Sequence, residues 1–284
     1  MYRIAAKFLL AAWTLIVAAV PTAEGAAALD ADPDALARAM AGHRVVLLGE
    51  VHDNGVQHRL REKALRAAIE KGARPAIAFE QFDRERQPDI DRARRERPGD
   101  ADHVIAQGQG APSWHWEFYR PYVQLALDYD LPIVAANLSR GEAMKTAMGG
   151  ASATPAGARK PPESFLRLHE SVIAKGHCDL LPADALPGMA RAQIARDRVL
   201  AESIRPHVQR GVVLLTGNGH ARIDIGVPFW LTADERAASV SIGVLERGDE
   251  DATGEPAVPF DVYVITERAE RADPCVELRQ RMGK

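Results

Sequence analysis

The chain has 284 residues, 46% hydrophobic and 26% charged, enough to bury the core of one large α/β domain or of one domain carrying an insertion. A formal net charge of −3, without a long Lys/Arg stripe, excludes the electrostatic footprint of a nucleic-acid- or polyanion-binding protein.

In chain order, Arg3 and Lys7 precede the apolar run FLLAAWTLIVAAV, and small residues follow in PTAEGAAA. A positive region, an apolar region and a small-residue site predict a secretory signal over residues 1–25, cut near Gly25 or Ala26. The run is short for a membrane-spanning helix. The expected mature chain, 26–284, is soluble, exported and periplasmic. No cysteine stands near the cut to accept a lipid anchor. Cys178 and Cys275 leave two states open: a disulfide in an oxidising compartment, or two buried thiols.

ALDADPDALARAMAG reads as a short helix with Asp near its start. Residues 44–50 then form a strand apolar on both faces, the pattern of a central parallel strand. GVQHRLREKALRAAIEKG has helical spacing and a stopping glycine, and AIAFE is a second strand, so a β-α-β unit opens the fold. Residues 83–112 are charged and Gly-rich and read as a solvated helix followed by a loop. WEFYRPYVQLALDYD is helical and LPIVAAN is a third strand. GEAMKTAMGGASATPAGARKPPE dissolves into a flexible connection, and helices around 163–176 and 188–206 follow without a strand between them. The predicted architecture is α/β: a mainly parallel central sheet flanked by helices, with a helical insertion or cap at about 140–207. GVVLLTGNGH, SVSIGVLE and FDVYVIT complete the strands.

Ligands of open α/β sheets bind beyond the carboxyl ends of the strands. Strand one ends in Glu50 and His52, strand two in Glu80, strand three in Asn137, and TGNGH supplies Asn218 and His220. A further parallel strand would add Glu246. His52, Glu80 and His220 could hold a divalent ion, zinc or manganese, with Glu50 as the base acting on its water. Each residue alone reads better as a strand end that caps a helix or faces water; the four endings together favour a functional site. The glycines form neither a dinucleotide nor a phosphate-loop pattern.

LLGEVHDN, AFEQF, LPIVAAN, GHCDLLP, the MARAQIARDRVLAESI helix and LLTGNGHAR occur in this order and resemble the haem-binding uptake family named for ChaN. That family belongs to a broader grouping with Tiki proteases and erythromycin-esterase-like enzymes, and the resemblance covers roughly residues 35–245. It implies an exported haem-binding protein of iron acquisition. A haem-uptake receptor or transporter would be a partner, and a homodimer stays open. In the wider grouping the motifs matched by Gly49, Glu50 and His52, and by Gly217 and His220, carry catalytic or metal-related residues, and the acid ending the second strand matches Glu80. The lipid-anchor cysteine of some haem-uptake members is missing here.

Haem iron takes a Tyr, His or Met donor, and its propionates favour cations. SWHWEFYRPY packs two Trp, one Phe and two Tyr into ten positions. Tyr119 beside Arg120 is the preferred ligand pair, with Tyr122 and His115 as alternatives, while Trp114 and Trp116 read as core. Arg196 could face an acid or a propionate, or pair with Asp197; His177 and Met189 are weaker donor candidates. The competing function is a metal-dependent hydrolase, of protease or esterase type, at the same sheet edge. The resemblance ranks haem first.

Overall fold

The computed structural model describes residues 26–110, 113–149, 160–249 and 259–281. The predicted signal, residues 1–25, lies outside them, as do 150–159 of the flexible connection and most of the acidic loop before the last strand. Seven strands form one sheet: β1 (Ala27–Leu29), β2 (Val45–Leu48), β3 (Ala76–Asp83), β4 (Ile133–Asn137), β5 (Val212–Leu215), β6 (Ser239–Glu246) and β7 (Val262–Thr266). Their order is β1-β7-β6-β2-β5-β3-β4, and every adjacent pair is parallel. β2 and β5, both VVLL and fully buried, run side by side, so the strand ends carrying Glu50 and Thr216 share one edge.

Alternation along the central strands divides the core between the two faces. Val46 and Leu48 face one layer and Val45 and Leu47 the other. The first layer contains α1 (Pro33–Met40), α2 (Gly55–Glu70), α3 (Gln87–Glu96), α4 (Ala101–Gln107) and α5 (Trp116–Asp128). Asn54 caps α2 by accepting from Val56 N at 3.0 Å and Gln57 N at 3.2 Å, and Gly72, at φ +106°, turns the chain out of it.

Beyond β4 come α6 (Arg140–Ala147), α7 (Glu163–Gly176) and α8 (Leu186–Ile204). The region expected to be a separate insertion is only partly one. Leu200, Ala201 and Ile204 of α8 pack into the second face of the sheet, so its final turns are an ordinary covering layer. Its earlier part holds α6 through Ala195 and Val199, and α7 through Ile194 and Phe165. The short helices α9 (Asn218–Ala221) and α10 (Ala233–Ala237) follow β5, and α11 (Pro274–Arg281) follows β7.

Two further differences from the sequence reading have local causes. Residues 27–29, read as helical, add an edge strand along β7. Within the stretch expected to be a helix and a loop, 83–112, the described residues 83–110 hold more: β3 continues to Asp83, and α3 and α4 bury Ile90, Ala93 and Val104 beneath a charged exterior. Asp100 caps α4 through His103 N at 2.9 Å.

Cys178 and Cys275 are joined in a disulfide, tying the end of α7 to α11. Removing it by Cys178→Ser with Cys275→Ser should cost about 2–4 kcal/mol of stability. Denaturant titration of the oxidised protein against the double variant measures this. Equal midpoints would show that the bridge contributes nothing to stability.

Candidate functional site

Glu50 leaves the end of β2 with no side-chain exposure and gathers three partners. The Arg61 guanidinium, also fully buried, donates to Oε2 and to Leu48 O, the latter at 2.7 Å. The Tyr119 hydroxyl donates to Oε1. His52 Nδ1 lies 2.9 Å from the same oxygen. A carboxylate held by a guanidinium and a phenol stays ionised and accepts, so the His52 proton sits on Nδ1 and leaves Nε2 as a lone-pair donor. Glu50 is therefore an orienting group rather than the free base of the hydrolase expectation.

His52 is the open member of this group, its side chain 44% exposed. Trp114 meets its ring edge-on at a centroid distance of 4.9 Å, and Trp114 in turn packs on Tyr119 at 5.7 Å. Gly217 forms the seat under the ring. A Cβ at position 217 would stand 2.8 Å from His52 Cε1 and 2.9 Å from Nε2, so any larger residue would push the imidazole out. At Gly49 a Cβ would meet Asn218 Oδ1 at 2.3 Å and Ile242 O at 2.8 Å. Both glycines are there for space.

The second cluster lies on the neighbouring strand ends. Glu80 of β3, buried, accepts from Thr216 Oγ1 at 2.6 Å and from Gly217 N at 2.9 Å. His220 of α9 stands between two acids, with Nε2 3.4 Å from Glu80 and Nδ1 2.5 Å from Asp197 of α8. Burial alone would lower the His220 pKa, but the Glu80 and Asp197 carboxylates outweigh it and carry it up to about 10. Burial would raise Glu80, yet His220 holds it well below the ordinary carboxylate range. His220 is thus a cation held between anions. Site-wall desolvation lowers the His52 pKa, keeping that imidazole neutral.

The structure brings Glu50, His52, Glu80, His220 and Arg196 to one edge, as the strand-end argument expected, but not as a metal centre. Among the described residues no group of three or more His, Cys, Asp or Glu side chains is placed to hold a metal ion. Of the predicted set His52, Glu80 and His220, His220 has its Nδ1 on Asp197 at 2.5 Å and its Nε2 between Gln193 at 3.1 Å and Glu80 at 3.4 Å. Asn218 is a backbone clamp, its amide bonded to Val244 O at 2.7 Å and Val244 N at 3.0 Å. Asn137 ends β4 with its Oδ1 buried and without a hydrogen-bond partner. Glu246 is held by Arg271 and Asn54 and fastens the C-terminal segment.

The aromatic segment divides differently from the expectation. Tyr119 is fully buried with its hydroxyl on Glu50, and desolvation pushes its pKa far above the usual range. Tyr122 is buried with its hydroxyl on His58 O at 2.7 Å, and desolvation raises its pKa to about 12. Arg120 turns out to solvent and grips Asp102 with two 2.8 Å bonds. His115 lies exposed beside Glu117, and His177 bonds back to Ile173 O at 2.8 Å. Met189 is half-buried in the first turn of α8.

Sequence reasoning missed Arg61, His58 and the role of Asp197. The signal for the first two was present: His58 and Arg61 share the α2 face that buries Leu65, where polar residues need partners. The Arg196–Asp197 pair does not form. Asp197 serves His220, and Arg196, with a buried Nε, makes no hydrogen bond or ion pair among the described residues.

The family model described as haem-binding uptake, Tiki superfamily, ChaN matches residues 36–231, which contain every one of these groups except Glu246 and Arg271. The chain belongs to this family. Its fold is similar to that in the structure "Cofacial heme binding to ChaN of Campylobacter jejuni", at 21% identity over 78% of this chain and 88% of that one, with a TM-score of 0.65. The type III effector HopBA1 is more distant in geometry (14% identity, 84% and 94% covered, TM-score 0.48). So is the erythromycin esterase EreC in an open conformation (14%, 80% and 76%, TM-score 0.46). No curated protein matches the chain.

The charged cluster sets a pH window. A His220 raised above its unfolded pKa of 6.5 contributes stability that is complete below about 6.5 and lost as pH rises toward about 10. Glu80, lowered from 4.5, contributes stability above that value that is lost as pH falls. The Tm advantage of the protein over His220→Gln should therefore be largest between about pH 4.5 and 6.5 and shrink on both sides. A pH-independent difference would show that His220 is not the cation described.

Proposed function

We propose that the protein is an exported haem-binding protein of iron acquisition, taking haem at the carboxyl edge of its sheet with His52 as axial donor. One observation carries this reading: His52 is an exposed imidazole at the edge, its Nδ1 fixed on Glu50, which leaves Nε2 as the donating nitrogen. A carboxylate behind a histidine fixes the tautomer and raises the basicity of the donating nitrogen, the usual support of a metal-binding imidazole.

Haem would supply a ferric centre with an open axial position, a flat apolar macrocycle and two propionates. The residues present fit it. Trp114 gives an aromatic wall against His52, and Val56, 46% exposed in the first turn of α2, adds apolar surface close by in the chain. Arg196, unpaired and within electrostatic reach of His52, supplies the cation for a carboxylate. Glu50, Arg61 and Tyr119 stay behind the imidazole, holding its direction and its proton. The donor role thus moves from Tyr119 to His52, and the propionate role from Arg120 to Arg196.

Haem is bound cofacially in the Campylobacter jejuni protein. The same arrangement here would join two copies through stacked haems, with a haem-uptake receptor or transporter as the next partner. The N-terminal pattern of residues 1–25 supports export to the periplasm.

Hemin titrated into the apoprotein should give a saturable, shifted Soret band. His52→Ala should abolish or displace that band, Tyr119→Phe should leave it in place, and Arg196→Ala should weaken binding about tenfold, or ~1.4 kcal/mol. A titration with no saturable band would remove the haem reading. A band altered by Tyr119→Phe but not by His52→Ala would return the ligand role to Tyr119.

A further inference from the structure

A cavity opens at the opposite, amino-terminal edge of the sheet, between α1, α2 and the starts of β2 and β5. It measures about 480 Å³, within the range of small-molecule sites. Its floor is aliphatic, built from Met40, Val46, Leu65 and Val213. No Phe, Tyr or Trp and no carboxylate is among its lining residues. Its rim is cationic: Arg38, Arg44, Arg74 and Arg210 surround the mouth, with His43 and Lys71 between them.

Lys71 is neutralised by Asp34 at 2.8 Å. Among the described residues the four arginines form no ion pair. Arg74 and Arg210 donate only to backbone carbonyls, at 2.7 Å to Ile69 O and 3.3 Å to Arg74 O, and Arg74 also stands 5.7 Å over the Tyr129 ring. Asp34 is the acid at this mouth, and its charge reaches Arg38 as well as Lys71; among the described residues Arg44, Arg74 and Arg210 have no carboxylate partner. An apolar cavity under unanswered positive charge is complementary to an amphipathic anion: tail inward, head at the rim.

We propose that this cavity binds a long-chain fatty acid, with its carboxylate among Arg38, Arg44, Arg74 and Arg210 and its acyl chain on the aliphatic floor. The lining argues for one flexible chain. A flat macrocycle would look for stacking rings on the floor, which is aliphatic, and a bilayer headgroup would leave that floor unfilled. The site lies across the sheet from His52 and does not rest on the haem reading.

Isothermal titration of the full chain with dodecanoate, below its micellar concentration, tests the proposal. Dodecanoate should bind saturably at one site, and dodecanol, with the same tail and no charge, at least tenfold more weakly. Arg44→Glu with Arg210→Glu, both solvent-exposed, should weaken dodecanoate at least tenfold while hemin titrates as before. Ala68→Phe, which fills the cavity from a half-buried position, should do the same. No saturable binding, equal affinity for the alcohol, or unchanged affinity in both variants would overturn the proposal. So would binding to anionic vesicles alone, or displacement of dodecanoate by hemin, which would merge the two sites.

Discussion

Beneath the end of β2 lies a guanidinium with no exposure to solvent, and the cost of desolvating Arg61 has to be offset where it stands. Glu50 supplies the counter-charge, and Leu48 O takes a second N–H. The pair is weak evidence for stability, since a well-packed apolar pair often does as well. Its effect is positional. It fixes a carboxylate as ionised at the sheet edge, draws the Tyr119 hydroxyl of α5 onto it, and hands one remaining lone pair to His52. Strand β2, helix α2 and helix α5 are joined at one charge, and the outward imidazole inherits its direction from that junction.

The second cluster solves the same problem in another way. Glu80 and Asp197 enclose His220, so two acids buried near each other are tolerable because the imidazole between them is charged. That arrangement leaves a surplus negative charge close to Arg196, the site's unpaired cation, which is therefore balanced across space but not bonded. A guanidinium in that condition can exchange its diffuse attraction for a direct contact at little electrostatic cost.

Much of this was legible in the sequence because buried parallel strands are nearly continuous in Val, Leu and Ile, so their ends stand out. VVLLGE, AIAFE, IVAAN and VVLLTG each announced an edge residue. Helices were less readable wherever a polar residue faced inward. Arg61 on α2 and Asp197 on α8 look like solvated charges in a one-dimensional pattern, and only the opposing strand end reveals what they answer. The aromatic segment misled for the complementary reason. Composition marked Tyr119 and Arg120 together, but helical geometry sends adjacent residues in different directions, one into the core and one to Asp102. The glycines were recognised as points of close approach, and what approaches at Gly217 is the ring of His52.

The disulfide has a topological consequence. Cys178 and Cys275 close 97 positions of sequence into a covalent ring that contains α8, β5, β6, β7, His220 and Asp197. Within that ring the chain is no longer linear: a single proteolytic cut anywhere between Asp179 and Pro274 opens the circle but releases nothing. Half of the site's charge cluster is carried on a segment that survives nicking as part of one molecule. Glu50, His52 and Glu80, on the open part of the chain, have no such insurance and depend on the parallel ladder between β2, β5 and β3 to stay in place.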